Sequence, residues 1–312
     1  MSAIAKKAVD NAEETVELKP VKKKKDRYSK RYRTVNRSLG GNIGVAIMLT
    51  ILGVLMMIPL YYAVVQSLKP LDELWIFPPR FWVAKPTFNN YIDLFGLMST
   101  SWVPFSRYLF NTVLISVLGT FGNLVLSSLA AYALAKIKFP GRGWMFQVIV
   151  LSLMFHSTVT TIANFLTFST LGWIDSLLSV IVPAFCTTLG LYLIKQFMET
   201  NVPDTVLEAA RIDGAGEFRI YWQIAMPAVK PAWLTLIVFS FQGLWNSGAS
   251  VYIYSEQLKS FNYAVTQIVS AGIVRAGASA AALIVQMLVP CVVFIITQSN
   301  IIETMSTSGM KD

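Results

Sequence analysis

Charge is scarce in this chain. Asp, Glu, Lys and Arg make up 14% of its 312 residues, against 54% hydrophobic residues, whereas a soluble domain carries about 25% charged residues. That deficit favours a membrane protein before any motif is read. Histidine occurs once, at His156, and cysteine twice, at Cys186 and Cys291. Both cysteines lie in apolar surroundings without metal-ligand spacing and read as small buried thiols. The chain has no GxxxxGK[ST] phosphate loop, no HExxH, no paired Cys-x-x-Cys and no nucleophile constellation. No catalytic residue, metal site or cofactor is therefore expected, and any work driven by ATP must draw on a partner.

Six stretches lack charge entirely: 38–68, 108–135, 143–174, 176–194, 231–255 and 276–302. Crossing the hydrocarbon of a bilayer takes about 20 helical residues, and a charge at the centre of such a helix costs several kcal/mol. All six read as spanning helices. Only Asp175 divides the third from the fourth, so Leu171–Ser176 reads as a short outer turn, with Trp173 suited to an interface. Pro59, Pro183 and Pro290 lie inside spans, as packing kinks or as hinges for gating. The resulting expectation is an all-α integral membrane fold of six spans.

What charge there is sits unevenly. Lys19–Arg37 holds ten Lys or Arg and one acid, Asp26, so its net charge of 10 − 1 = +9 equals that of the whole chain. The block ends just before the first span, and the positive-inside rule places it, with both termini, in the cytoplasm. Contact with anionic lipid headgroups is also expected, and nucleic acid is not. Residues 1–38 read as a disordered basic cytoplasmic tail, with no secretory signal before it and a first span that stays in the mature protein. Residues 39–106 hold the first span and a long outer loop, 107–302 the core with spans two to six, and 303–312 a C-terminal tail. The basic loop Lys136–Arg142 falls on the cytoplasmic side, as does the most charged loop, at 200–230.

That last loop reads EAARIDGAGEFRIYWQIAMP from Glu208 to Pro227. Pro203 and Asp204 can open a helix, and Ala209 and Ala210 leave room for close approach. Gly214 and Gly216 permit a sharp turn. Phe218, Ile220, Tyr221 and Ile224 form a second amphipathic segment against the bundle, and Pro227 and Pro231 stop it before the fifth span. The loop reads as a docking element for a cytoplasmic motor, fixed to two spans so that its motion moves them.

The loop resembles the EAA loop of bacterial ABC importer permeases, EAA-x3-G-x9-I-x-LP, with Met226 where Leu is usual. Residues 78–95 (PPRFWVAKPTFNNYIDLF), Tyr108–Thr112, Ala135–Arg142, Gly243–Asn246 and Ser308–Lys311 resemble the maltose-type carbohydrate permeases, in particular the second, smaller permease of each pair. The likeness covers roughly 40–312. Ser247 departs from it, standing where an acid commonly follows Trp-Asn. The resemblance implies a six-span type I ABC importer permease (MetI-like) fold in a bacterial plasma or inner membrane. It implies a second homologous permease, two ATP-binding subunits and an extracellular sugar-binding protein as partners. It also assigns ATPase coupling to Glu208, Ala209, Ala210, Asp213, Gly214, Ile224 and Pro227.

Candidate groups along a sugar path are His156, Thr160, Asn164, Gln242, Trp245, Asn246 and Tyr252, polar or amphipathic residues whose burial in a span needs a partner. Interhelical hydrogen bonding and packing account for each of them equally well. Trp75, Phe81, Trp82 and Glu256–Arg275 are expected on the outside, against a binding protein or at the membrane interface. Two alternatives stand beside the sugar importer: an ABC permease for a non-sugar solute, and an autonomous secondary transporter, which the absence of charge in the spans disfavours.

Overall fold

The computed structural model describes residues 39–99, 102–155, 157–248 and 250–308; these form helices and turns, with no strand among them. The expected tail at 1–38, His156 and residues 309–312 lie outside the described residues. The chain divides into two units, Met1–Met56 and Met57–Asp312. The boundary falls inside the first helix, α1 (Leu39–Leu68). The described part of the first unit is a single helical stretch whose apolar side chains, among them Ile47, Leu49, Ile51 and Met56, are exposed.

The second unit carries the rest of α1, then α2 (Leu71–Leu74), α3 (Asn89–Ser99) and α4 (Phe105–Lys136). There follow α5 (Arg142–Ser152), α6 (Ser157–Leu171), α7 (Leu178–Ala184), α8 (Thr188–Asn201), α9 (Asp204–Ile212), α10 (Glu217–Ile220) and α11 (Met226–Ala228). The chain closes with α12 (Lys230–Trp245), α13 (Phe261–Ser270) and α14 (Ala276–Ser308). At 1.5 Å per residue, α4 is about 48 Å long and forms the axis of the unit, packed on α12, α8 and α7. Its C-terminal half joins one apolar cluster with α8 and the segment Leu207–Leu236. Its N-terminal end joins a second, with α3, α13, α14 and Trp245 of α12.

Close packing in the middle of α4 depends on missing side-chain volume. A Cβ on Gly122 would fall 2.2 Å from Phe185 Cδ1. Phe185 opens the break between α7 and α8, two residues after Pro183. The break frees the Thr187 amide, and fully buried Asn123 accepts from it at 3.2 Å while donating to Thr187 Oγ1 at 3.0 Å. Asn123 also donates to Ser240 on α12 and accepts from Ser127 at 2.7 Å. A buried amide is tolerable only when its donors and acceptor are all used, and here they tie three helices together.

Among the described residues, four helices are long and apolar enough to cross a membrane: Gly40–Leu68, Phe105–Lys136, Leu178–Asn201 (α7 and α8 together) and Ala276–Gln298. The segment Glu217–Ala228 and α12 make a fifth only if the pair, bent by 82°, is taken as one span. The expected third span is instead two helices of 11 and 15 residues. Leu153, Met154 and Phe155 donate to carbonyls three residues back, and Ser152 Oγ bonds to Ile149 O; that tightening ends α5, which a count of missing charges does not sense. The fifth stretch also shortens, because α12 ends at Trp245 and 246–248 and 250–255 are turn and loop. Beyond 302 the last helix continues to Ser308. A turn lies where one was expected: Gly172 and Asp175 take positive φ, 69° and 57°. The cysteines are not. Cys186 and Cys291 are both exposed, because in a membrane chain apolar surroundings in sequence mark the outer surface as readily as the interior.

Candidate functional site

The loop begins as the sequence suggests. Pro203 stands before α9, and Asp204 opens it. Leu207 is buried and Ala210 packs beside it against the bundle, whereas Glu208, Ala209, Ile212 and Asp213 face outward. The small size of Ala210 thus serves the chain's own core, and that of Ala209 the free surface. Gly214 closes the helix at φ 80°. Its amide donates to Arg211 O and that of Ala215 to Ala210 O, each at 3.0 Å, the paired reverse bonds of a helix ended by a left-handed residue. Gly216 does not share this demand, since its φ of −70° and ψ of 155° suit any residue.

The second segment differs from expectation in two ways. Ile220, Tyr221 and Ala225 are buried and Ile224 is half-buried, but Phe218 is 71% exposed. Pro227 does not stop the helix. Residues 221–225 form a π-turn in which the Met226 amide reaches Tyr221 O, and the missing amide of Pro227 falls where the ordinary pattern would need one. The stop comes at Val229: Pro231 cannot donate to Pro227 O, and the chain turns by 82° into α12.

Three contacts fasten this loop to α4, four residues apart along one face. Ser128 Oγ and Tyr221 Oη share a hydrogen bond at 2.7 Å. Tyr132 Oη donates to Glu217 Oε2 at 2.7 Å. Lys136 Nζ, at the last residue of α4, meets Asp204 Oδ1, at the first residue of α9, at 2.8 Å. The two charges also complement the dipoles of the helix ends that they sit on, and Lys136 holds the Asp204 carboxyl below its usual range. Within the loop, Arg211 Nε bridges to Glu217 Oε1 at 2.6 Å and links α9 to α10. Reading the sequence for the loop alone misses Ser128, Tyr132 and Lys136. Their signal is polar or amphipathic residues at i, i+4 and i+8 on a span facing a charged loop.

With its inner face held, the loop offers an outer one. Ile212 is 86% exposed, and Val206, Phe218 and Trp222 are exposed too. Glu208 lies on this surface and has no ion pair among the described residues.

The path candidates separate. Trp245 is 1% exposed, stacked on Phe241 with centroids 5.7 Å apart, and donates to Gln286 O at 3.0 Å; the structure places it in the core. Asn246 is exposed at the end of α12 beside Asn262 and Gln286, which bond to each other at 2.8 Å. Gln242 lies one turn earlier, half-buried. Gln286 escaped the sequence reading, although it is the one amide in the apolar run Ala280–Ile296. Tyr252 instead joins α6, donating to Thr161 O at 3.2 Å with its ring edge-on to Phe168. Thr160 is exposed and Asn164 half-buried on that same helix. Beside them Asp175 accepts from the amides of Tyr254 (2.9 Å) and Ser255 (2.7 Å) and from the Ser255 hydroxyl. These bonds pin the loop after α12 to the α6–α7 turn and hold the Asp175 carboxyl below its usual range.

Comparison with known proteins places this arrangement. The sn-glycerol-3-phosphate transport system permease protein UgpE of Yersinia enterocolitica is 33% identical over 211 residues, 66% of this chain and 74% of its own length. The diacetylchitobiose uptake system permease protein NgcG of Streptomyces coelicolor is 27% identical over 206 residues, 64% of each chain. A chain of a bacterial ABC transporter involved in import of the acidic polysaccharide alginate has the same fold, with a TM-score of 0.70 at 21% identity, covering 85% of this chain and 98% of that one. Residues 123–306, which include the loop, its seat on α4 from Ser128 on, and α12 to α14, match the family of binding-protein-dependent transport system inner membrane components, and the chain belongs to that family.

Proposed function

We propose that this chain is one half of the pore of an ATP-driven importer of sugars or oligosaccharides in a bacterial cell membrane. A related permease supplies the other half, two ATP-binding subunits sit on the cytoplasmic side, and an extracellular binding protein delivers the solute. The observation that carries this reading is the two-faced loop Asp204–Ala228, fastened to α4 at three points and exposing Ala209, Ile212 and Phe218. Such a surface fits a groove on a motor, and the fastening passes the motor's movement into a spanning helix. Counting α5–α6 as one interrupted crossing and α12 as another gives six crossings with both termini in the cytoplasm. Sugar as cargo is supported by the relatives named for diacetylchitobiose and alginate. The relative named for glycerol 3-phosphate supports a second reading, a small phosphorylated polyol.

The test is purification of the tagged chain from membranes with its companions. Ala209→Glu together with Ile212→Glu, both at exposed positions, should leave the chain in the membrane with its partner permease and remove the ATPase. Full retention of the ATPase would contradict the docking role. Solute binding by the co-purified binding protein, measured with a glycan panel and with glycerol 3-phosphate, decides between the two cargo classes.

A further inference from the structure

The segment after α1 is a rigid knob with an apolar exterior. Lys69, the first charge after the span, is 1% exposed and donates to Arg80 O at 2.6 Å. Glu73 accepts from the amides of Ala84 and Lys85, each at 3.1 Å. Asn90 is buried and donates to Ser67 O at 2.8 Å and Lys69 O at 2.7 Å, and the Thr87 amide returns to Leu68 O at 2.9 Å. Residues 69–90 are thus tied to the end of α1 at several points. Held out from this frame are Trp75, Phe77, Phe81, Trp82 and Phe88, with Phe77 92% exposed. Fixed bonds keep these rings outside, so their exposure is built into the fold. Leaving a ring of that size in water forgoes about 1.5–3 kcal/mol of burial.

We infer that this knob is seated in the headgroup layer of the bilayer, with phospholipid covering its aromatic face. Two structural features and one physical argument favour lipid over a protein partner. The knob follows directly from the charge-free, outward-facing stretch Met57, Ile58, Leu60, Tyr61 and Val64, so the first charge marks the edge of the hydrocarbon at its base. Its exposed rings, Trp and Phe, are flanked by exposed Arg80 and Lys85, with Asp72 the one exposed acid between Lys69 and Asn90, an arrangement suited to rings at headgroup depth and cations toward phosphate. A binding protein that docks and leaves would uncover five rings in each cycle, whereas lipid covers them throughout. Seated in this way, the knob fixes the depth of α1. The inference rests on α1 being a span, for which Gly40–Leu68 is long and apolar enough, but not on the solute or on which side the knob faces.

The experiment uses the whole transporter in phosphatidylcholine–phosphatidylglycerol vesicles. Cys186 and Cys291 are replaced by serine, and nitroxide labels are placed singly at Phe77→Cys and at Phe88→Cys. Collision rates with oxygen and with a water-soluble nickel chelate then report depth. The expected result at both positions is an oxygen-to-nickel ratio severalfold above that of free label in buffer, below that of a label at Leu55→Cys in the span, and unchanged by added binding protein. A ratio equal to that in buffer would overturn the inference. Shielding from both reagents would overturn it too, because it would mean that protein covers the face. Transport assayed on the same vesicles separates these outcomes from a failure of the importer reading, which would leave the depth ratios as they are.

Discussion

At the scale of single residues, the fastening of the loop makes the sharpest claims. Tyr132→Phe removes one hydrogen bond to Glu217, worth about 1 kcal/mol, while keeping the ring that packs on Tyr221. The expected outcome is a transporter that still binds the ATPase but moves less solute per ATP hydrolysed, as measured in proteoliposomes. Gly214→Ala forces a side chain into φ 80°, at a cost of about 1–2 kcal/mol, and should lower co-purification of the ATPase. The anchors Asp204 and Asp175 give a pH sign. Each carboxyl is held below its usual range in the folded protein, by Lys136 and by Ser255 respectively. The unfolded chain therefore binds more protons in that window. The stabilisation is complete above the ordinary carboxylate range and is lost as pH falls through the lowered values. Hydrogen exchange of residues 252–255 should accelerate as pH drops through that window after correction for the intrinsic rate, and Asp175→Asn should show the faster rate at every pH.

At the scale of elements, what could be read from sequence follows what each signal measures. Missing charge located α1, α4 and the last helix well, because each is one continuous helix and burial of charge in lipid is the dominant cost there. It overran helix ends inside the third and fifth stretches, because the tightening of the chain after Ser152 and the end of α12 at Trp245 involve no charge. The motif pattern located α9 and its Gly214 stop from local chemistry alone. Ser128, Tyr132 and Gln286 stayed hidden, since their meaning depends on contacts far along the chain. The same reasoning explains the cysteines. Cys186 and Cys291 should react in membranes with a lipophilic maleimide and not with a charged one; rapid reaction with the charged reagent would place them in water. Gly122→Leu should overpack the α4 contact with Phe185 and cost about 1–3 kcal/mol, read as a lower melting temperature of the detergent-purified complex.

At the scale of the whole molecule, the chain has one polar hub in its middle, at Asn123, and a fastened loop at one end of α4. A long helix held at its end by three contacts and crossing two apolar clusters suits the transfer of movement from a loop to a bundle. The proposed coupling role of the loop is in keeping with a family of binding-protein-dependent transport system inner membrane components. Site-directed cross-linking of the assembled transporter tests this most directly. In a background without Cys186 and Cys291, cysteines are placed one at a time at Ala209 and Ile212 on the exposed face of α9 and at Lys138 in the neighbouring basic loop. The expected result is cross-linking of positions 209 and 212 to the ATP-binding subunit, with a yield that changes when ATP is bound, and none from position 138. Cross-linking from position 138 alone, with 209 and 212 freely reactive to water-soluble maleimide in the assembled complex, would contradict the coupling role of the loop.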